Sequence, residues 1–199
     1  MLNLYLQARN ICISLHKVVM PKRRKLHRFL SCDKVKIEKM SVNVIFGSDG
    51  GATKGVASKI AKKAGGKAID IKNATAADFE NCQLLILGSP TYGNGTLQAD
   101  WEENIEKLTS AKLKGKKVAI FGTGDQEGYP ESFIDAVGIL YDYVVEAGAN
   151  VVGFTETAGY NYSGSAAERD GKFVGLALDQ DTQSSKTDRR ITEWISRLT

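Results

Sequence analysis

Three glycine-rich stretches hold the residues best suited to binding a ligand. The first is Gly47-Ser48-Asp49-Gly50-Gly51-Ala52-Thr53. Glycines there let backbone N–H groups turn toward an anion, and Ser48 and Thr53 add hydroxyl donors. The second is Gly88-Ser89-Pro90-Thr91-Tyr92-Gly93-Asn94-Gly95, and the third is Gly122-Thr123-Gly124-Asp125-Gln126-Glu127-Gly128-Tyr129. Each of these carries one tyrosine among turn residues, where a flat partner is the natural use of an exposed ring. Taken alone, the first loop also reads as an ordinary strand-to-helix turn, and either tyrosine as a surface residue. Together they describe a pocket for a planar, phosphorylated cofactor. Two phosphate motifs are excluded. Lys54 follows Thr53, so no Gly-Lys-Ser/Thr stands at Walker spacing, and the third glycine of a dinucleotide fingerprint would fall on Glu127.

Each loop follows a short apolar run, and the whole segment from residue 42 alternates strand and helix patterns. Strands are expected at 42–46, 67–71, 84–87, 117–121 and 150–154. Residues 53–64 repeat Val56 and Ile60 at helical spacing, and 97–108 place Trp101, Ile105 and Leu108 on one side. A long helix is expected from Pro130, with a stripe of Phe133, Ile134, Val137, Leu140, Tyr141, Val144 and Val145, ending at Gly148. A last helix over 187–198 shows Ile191, Trp194, Ile195 and Leu198. Residues 156–172 are rich in Gly, Ser, Tyr and charge and precede the apolar run 173–178, so they read as an insertion that splits the fifth strand. Five strands with intervening helices imply an α/β doubly wound parallel sheet, whose ligand site lies at the carboxyl edge.

A chain of 199 residues supports one domain with a sizeable core. Its net charge of +4 is misleading. Residues 1–39 hold ten Lys/Arg and two Asp/Glu, which leaves 17 of the 27 basic and 21 of the 23 acidic residues in 40–199. The body is acidic, and no nucleic-acid partner is expected for it. Both histidines, His16 and His27, lie in the basic segment, so His-based catalysis or metal binding is not expected in the body. Cys12, Cys32 and Cys82 form no Cys-x-x-Cys pair, which points to a reducing compartment. Cys82, before a buried strand, reads as a small core or boundary residue. No apolar stretch approaches the ~20 residues of a membrane span. The extension 1–39 is expected to be a disordered or targeting segment or, if Met40 is the true start, not native to the protein. The location is then cytoplasmic, or an organelle if the extension is a transit peptide.

The body resembles a bacterial long-chain flavodoxin, an FMN-dependent electron carrier, from about residue 42 to 198. The resemblance rests on Phe121-Gly122-Thr123-Gly124-Asp125-Gln126-Glu127-Gly128-Tyr129, on Leu97-Gln98-Ala99-Asp100-Trp101, and on Phe173-Val174-Gly175-Leu176-Ala177-Leu178-Asp179. Thr157-Ala158-Gly159-Tyr160-Asn161-Tyr162 is similar to the start of the family's insertion. The resemblance implies a sheet of order 2-1-3-4-5 and an FMN-binding domain over 40–199. It implies a phosphate loop of Ser48, Asp49, Gly50, Gly51, Ala52 and Thr53, with Gly50 where the family usually has threonine. Thr91 and Asp181 match positions that approach the ribityl chain, and Pro90 is a further cofactor-binding position. Tyr92 stands where many members place tryptophan on one flavin face, and Tyr129 matches the tyrosine on the other. Thr123, Gly124 and Asp125 match the loop along the ring's polar edge. Gly93, Asn94 and Gly95 match the turn whose Gly93–Asn94 peptide flips on reduction.

The function implied is a monomeric, low-potential one-electron carrier, with FMN shuttling between semiquinone and hydroquinone. Implied partners are a ferredoxin/flavodoxin–NADP reductase and a low-potential acceptor such as nitrogenase or a radical-enzyme system. An alternative on the same fold is an FMN-dependent NAD(P)H:quinone oxidoreductase, which needs an open flavin face. A phospho-receiver domain needs an aspartate at the end of the third strand, and here that strand ends Leu87-Gly88-Ser89. Negative charge added beside a phosphate in an acidic protein is disfavoured, so the second electron enters at low potential. Redox titration of the holoprotein is expected to show a well-populated blue semiquinone, and direct two-electron reduction would contradict the carrier reading.

Overall fold

The computed structural model describes residues 40–199. In chain order these form β1 (Val42–Phe46), α1 (Ala52–Ala64), β2 (Lys67–Asp70), α2 (Ala76–Glu80), β3 (Leu84–Pro90), α3 (Ala99–Thr109), β4 (Lys117–Gly124), α4 (Asp135–Glu146) and β5 (Asn150–Val152). Then come β6 (Thr155–Glu156), β7 (Glu168–Arg169), β8 (Lys172–Phe173), β9 (Leu176–Asp179) and α5 (Thr187–Leu198). The extension 1–39, with its two histidines, two cysteines and basic cluster, lies outside the described residues.

The main sheet runs β2-β1-β3-β4, and its fifth place is shared. β5 pairs with the start of β4, Lys117 opposite Asn150, and β9 with its end, Gly124 opposite Asp179. All pairings in this sheet are parallel. The order is thus 2-1-3-4-5 with the fifth strand split, as expected. The break is wider than the expected halves 150–154 and 173–178. Gly153, at a φ of 86°, turns the chain off the sheet, and Thr155 then pairs with Phe173 in a small antiparallel β6-β8-β7 ribbon.

Strand alternation decides the layering, because successive side chains point to opposite faces. Leu85, Leu87, Val118 and Ile120 face one core with Trp101 and Leu108 of α3 and Val137 and Leu140 of α4. Leu84, Ile86, Ala119 and Phe121 face the other, with Val56 and Ile60 of α1 and Ile191 and Trp194 of α5. With helices on both faces the strands read as continuous apolar runs. Cys82 is buried at the margin of the first core.

Two local expectations change. The helix expected from Pro130 starts at Asp135. The Pro130 carbonyl accepts from Ser163 and Gly164 N–H, and Phe133 N–H donates to the Gly164 carbonyl. The insertion therefore takes the hydrogen bonds a first helical turn would have used, and Ile134 adopts a left-handed φ of 54° while fully buried. Val145, placed in the apolar stripe, is exposed. The short α2 was not anticipated. Its signal is Thr75-x-x-Asp78, where Asp78 Oδ2 accepts from the Thr75 amide and hydroxyl.

The split strand ends on a buried carboxylate. Asp179 accepts from Asp181 N–H at 2.9 Å, Thr182 N–H at 2.7 Å, Thr182 Oγ1 at 2.5 Å and Gln126 N–H at 3.3 Å. The buried Gln126 side chain donates to Thr182 Oγ1 and accepts from Asn161 N–H. One charge thus joins the loop after β4, the turn after β9 and the insertion. Burial pushes the Asp179 carboxyl up, but the bonds from Thr182, Gln126 and Asp181 outweigh it and hold it below the usual carboxylate range.

Two stability outcomes follow. Asp179→Asn is expected to cost about 2–3 kcal/mol at pH 7, since an amide nitrogen would face donors. The wild-type contribution is complete above the unfolded-state value of about 3.9 and is lost as pH falls through the lower folded value. Urea unfolding should therefore show the two proteins converging below pH ~4. Gly138→Ala sets two effects against each other. Helix propensity favours alanine by about 1 kcal/mol. The added Cβ, however, would overlap the Ala166 carbonyl of the insertion packed on α4, and overpacking costs ~1–3 kcal/mol. A lowered urea midpoint is expected, and a raised one would show that the insertion does not press on α4.

Candidate functional site

The ends of β1, β3, β4 and β9 open into a cleft of about 280 Å³. Ser48, Gly50, Ala52 and Thr53 line it from the first loop, and Pro90, Thr91, Tyr92 and Gly93 from the second. Thr123, Gly124, Asp125 and Tyr129 line it from the third, with Asp181 beyond β9. Of the expected site residues, Asp49, Gly51, Asn94 and Gly95 do not line it. Four unanticipated residues do: Ser132, Phe133, Ile134 and Gln180. The first three were hidden inside the helix expected from Pro130. Gln180 had one signal, its place between a strand end and Asp181.

The first loop is built open. Gly51 caps α1 at a φ of 88°, and nothing lies within 4 Å of a Cβ position at Gly50 or Gly51. Ser48 Oγ accepts from Lys54 N–H at 3.3 Å, which leaves its own hydrogen to donate. The buried Thr53 and Thr123 hydroxyls lie 2.8 Å apart and tie the first loop to the third. One of the pair donates to the other, whose hydrogen remains available. The Asp49 carboxylate turns aside and accepts from Gln98 Nε2.

Thr91 Oγ1 accepts from Ala136 N–H at 3.1 Å and so caps the start of α4. Its hydrogen too is left to donate. Residues 92–96 form a tight turn closed by Tyr92 N–H to Thr96 O and Thr96 N–H to Tyr92 O. Gly93 and Gly95 hold φ values of 52° and 93°, which glycine adopts at little steric cost. Gly95 also lies against the Asp135 side chain, which leaves no room for a Cβ. Burial raises the Asp135 carboxyl, partly offset by the Ala166 N–H it accepts.

In the third loop Asp125 Oδ1 accepts from Glu127 and Gly128 N–H, and its carbonyl accepts from Tyr129 N–H. This knot presents Tyr129 with 61% of its surface exposed, while Tyr92 is 40% exposed. Partial burial, and then the neighbouring Asp49 carboxylate, raise the Tyr92 phenol. Among the described residues no cluster of His, Cys, Asp and Glu could hold a metal ion, and no helix is long and apolar enough to cross a membrane. The site brings together backbone and hydroxyl donors and two exposed aromatic rings. That arrangement suits a flat ligand with an anionic group.

Comparison with known proteins gives the same direction. The sequence model of the family described as Flavodoxin matches residues 44–194. A flavodoxin from a Nostoc species is 42% identical over 160 residues, covering 79% of this chain and 94% of the relative. A flavodoxin from Klebsiella pneumoniae is 38% identical over 169 residues, covering 79% and 96%. Among solved structures, Fusobacterium nucleatum flavodoxin bound to flavin mononucleotide superposes with a TM-score of 0.76 at 36% identity, covering 80% of this chain and 96% of that one. With the split fifth strand and the open first loop already in place, these matches leave one assignment: the chain belongs to the flavodoxin family.

Proposed function

We propose that residues 40–199 form a long-chain flavodoxin domain that binds FMN non-covalently and carries single electrons between redox proteins. The observation that carries this reading is the cleft itself, lined by the first loop with open space at Gly50 and by two exposed tyrosines. The residues fit the cofactor. A phosphate needs donors without a competing charge, and the first loop supplies amides, the Ser48 hydroxyl and the N-terminus of α1. A flavin ring needs flat apolar contact, and Tyr92 and Tyr129 supply it. Bound FMN supplies the one-electron redox chemistry.

The chain's own residues set its terms. Thr91 and Asp181 line the cleft and would face the ribityl chain. The turn 92–96 presents main-chain N–H and C=O groups at Gly93–Asn94, and glycine at 93 lets that peptide adopt either orientation. Thr123, Gly124 and Asp125 offer polar groups along the ring edge. The acidic body opposes further negative charge in the cleft, which lowers the potential of the second electron. The same acidity favours weak, fast docking on basic patches. Partners are then redox proteins, among them a ferredoxin/flavodoxin–NADP reductase and a low-potential acceptor such as nitrogenase. The protein acts as a cytoplasmic monomer, an electron-transfer protein and not an enzyme. The relatives matched are flavodoxins, and nothing in the cleft favours the quinone-reductase alternative.

The test is direct. The full chain stripped of flavin is titrated with FMN and followed by loss of flavin fluorescence. Saturable binding of one FMN per chain is expected, and no quenching would overturn the reading. Gly50→Thr then examines the loop. Space for the side chain exists, and Gly50 does not have the positive φ that would strain it. One added hydroxyl hydrogen bond is worth about 1 kcal/mol, so FMN binding should tighten roughly fivefold. Weaker binding would mean that residue 50 does not face the phosphate.

A further inference from the structure

Gln98, the residue preceding α3, is fully buried beneath the first loop. Its Nε2 donates to Asp49 Oδ1 at 2.8 Å and to Asp100 Oδ2 at 2.7 Å. Chemistry fixes this orientation, because only the amide nitrogen can face two carboxylates. The other end, Oε1, has no hydrogen-bond partner. It lies against Gly47, where any Cβ would overlap it. An unpaired buried oxygen is unfavourable, so the two charge-assisted bonds must outweigh it. Asp100 is itself held by Lys72 at 3.1 Å. A line of polar contacts thus runs from Lys72 through Asp100 and Gln98 to Asp49 in the first loop.

Asp49 is a liability in a loop meant for a phosphate, since like charges repel at short range. It is followed by two unobstructed glycines, and its side chain is exposed, so sterics do not confine it. The bond to Gln98 holds its carboxylate beside the Tyr92 phenol, and Asp49 is not among the lining residues.

We propose that Gln98 is a positioning residue that sets selectivity for a phosphorylated flavin: it tethers the Asp49 carboxylate outside the cleft, so that residues 48–53 present donors and no negative charge to the phosphate. Gly47 is part of the device, because its missing side chain lets the Gln98 amide reach Asp49. The proposal rests on the FMN reading above and adds to it the residue that keeps the phosphate site free of charge.

The test compares FMN with riboflavin, which has the same ring and no phosphate. Both are titrated into the flavin-stripped full chain, as wild type, Gln98→Met and Gln98→Glu. Gln98→Met keeps the volume and removes the tether, and Gln98→Glu repels Asp49 outright. Folding is checked by circular dichroism, and Gln98→Met carries the test if the charged variant does not fold. FMN affinity is expected to fall about tenfold while riboflavin affinity changes less than about twofold. Adding Asp49→Asn to either variant should restore most of the loss, because the offending charge is gone. Equal losses for both flavins, or no recovery with Asp49→Asn, would overturn the proposal. Wild-type protein that binds FMN no better than riboflavin would overturn the FMN reading itself, and the proposal with it.

Discussion

The carboxyl edge of this sheet depends on one buried carboxylate. Asp179 closes the second half of a strand that the chain has broken in two, and it gathers donors from Gln126, Asp181 and Thr182. A charge with no exposed surface is tolerated only when its hydrogen bonds are satisfied. That requirement fixes where the loop after β4 and the turn after β9 stand. Those segments are two walls of the cleft. The insertion joins the same network through Asn161 and Gln126, and seats its aromatic residues beside Phe133, with Tyr160 at a ring separation of 5.4 Å.

Around that anchor the polar groups follow one pattern. Ser48 and Thr91 accept from backbone amides and keep their own hydrogens free. Thr53 and Thr123 share one hydrogen bond and keep one donor between them. Two carboxylates beside the cleft are drawn aside, Asp49 by Gln98 and Asp135 by Ala166, while Asp125, which lines it, is tied down by its own loop amides. The outcome is a site rich in donors although the body is acidic. Such a site binds an anionic group without contradicting the charge of the protein around it.

Much of this was legible in the sequence, for a physical reason. Strands covered on both faces are continuous apolar runs, and helices on a sheet carry a 3.6-residue stripe, so local pattern reports the layers. The split fifth strand was legible because 156–172 has no such pattern. The start of α4 was not, because the hydrogen bonds that delay it come from Ser163 and Gly164, some thirty residues away along the chain. For the same reason Ser132, Phe133 and Ile134 were missed as cleft residues. Gln98 was visible only as part of a family motif. Its contact with Asp49 spans 49 residues and becomes apparent only in three dimensions.

The central claim is that the cleft walled by the Asp179 network holds FMN in one way. The most direct measurement is a crystal structure of the full chain with FMN. The phosphate should sit on the amides of residues 48–53 and the ring against Tyr92 and Tyr129, with Asp179 still accepting from Gln126, Asp181 and Thr182. FMN bound elsewhere, or residues 124–129 rebuilt with Asp179 released from those partners, would contradict the account.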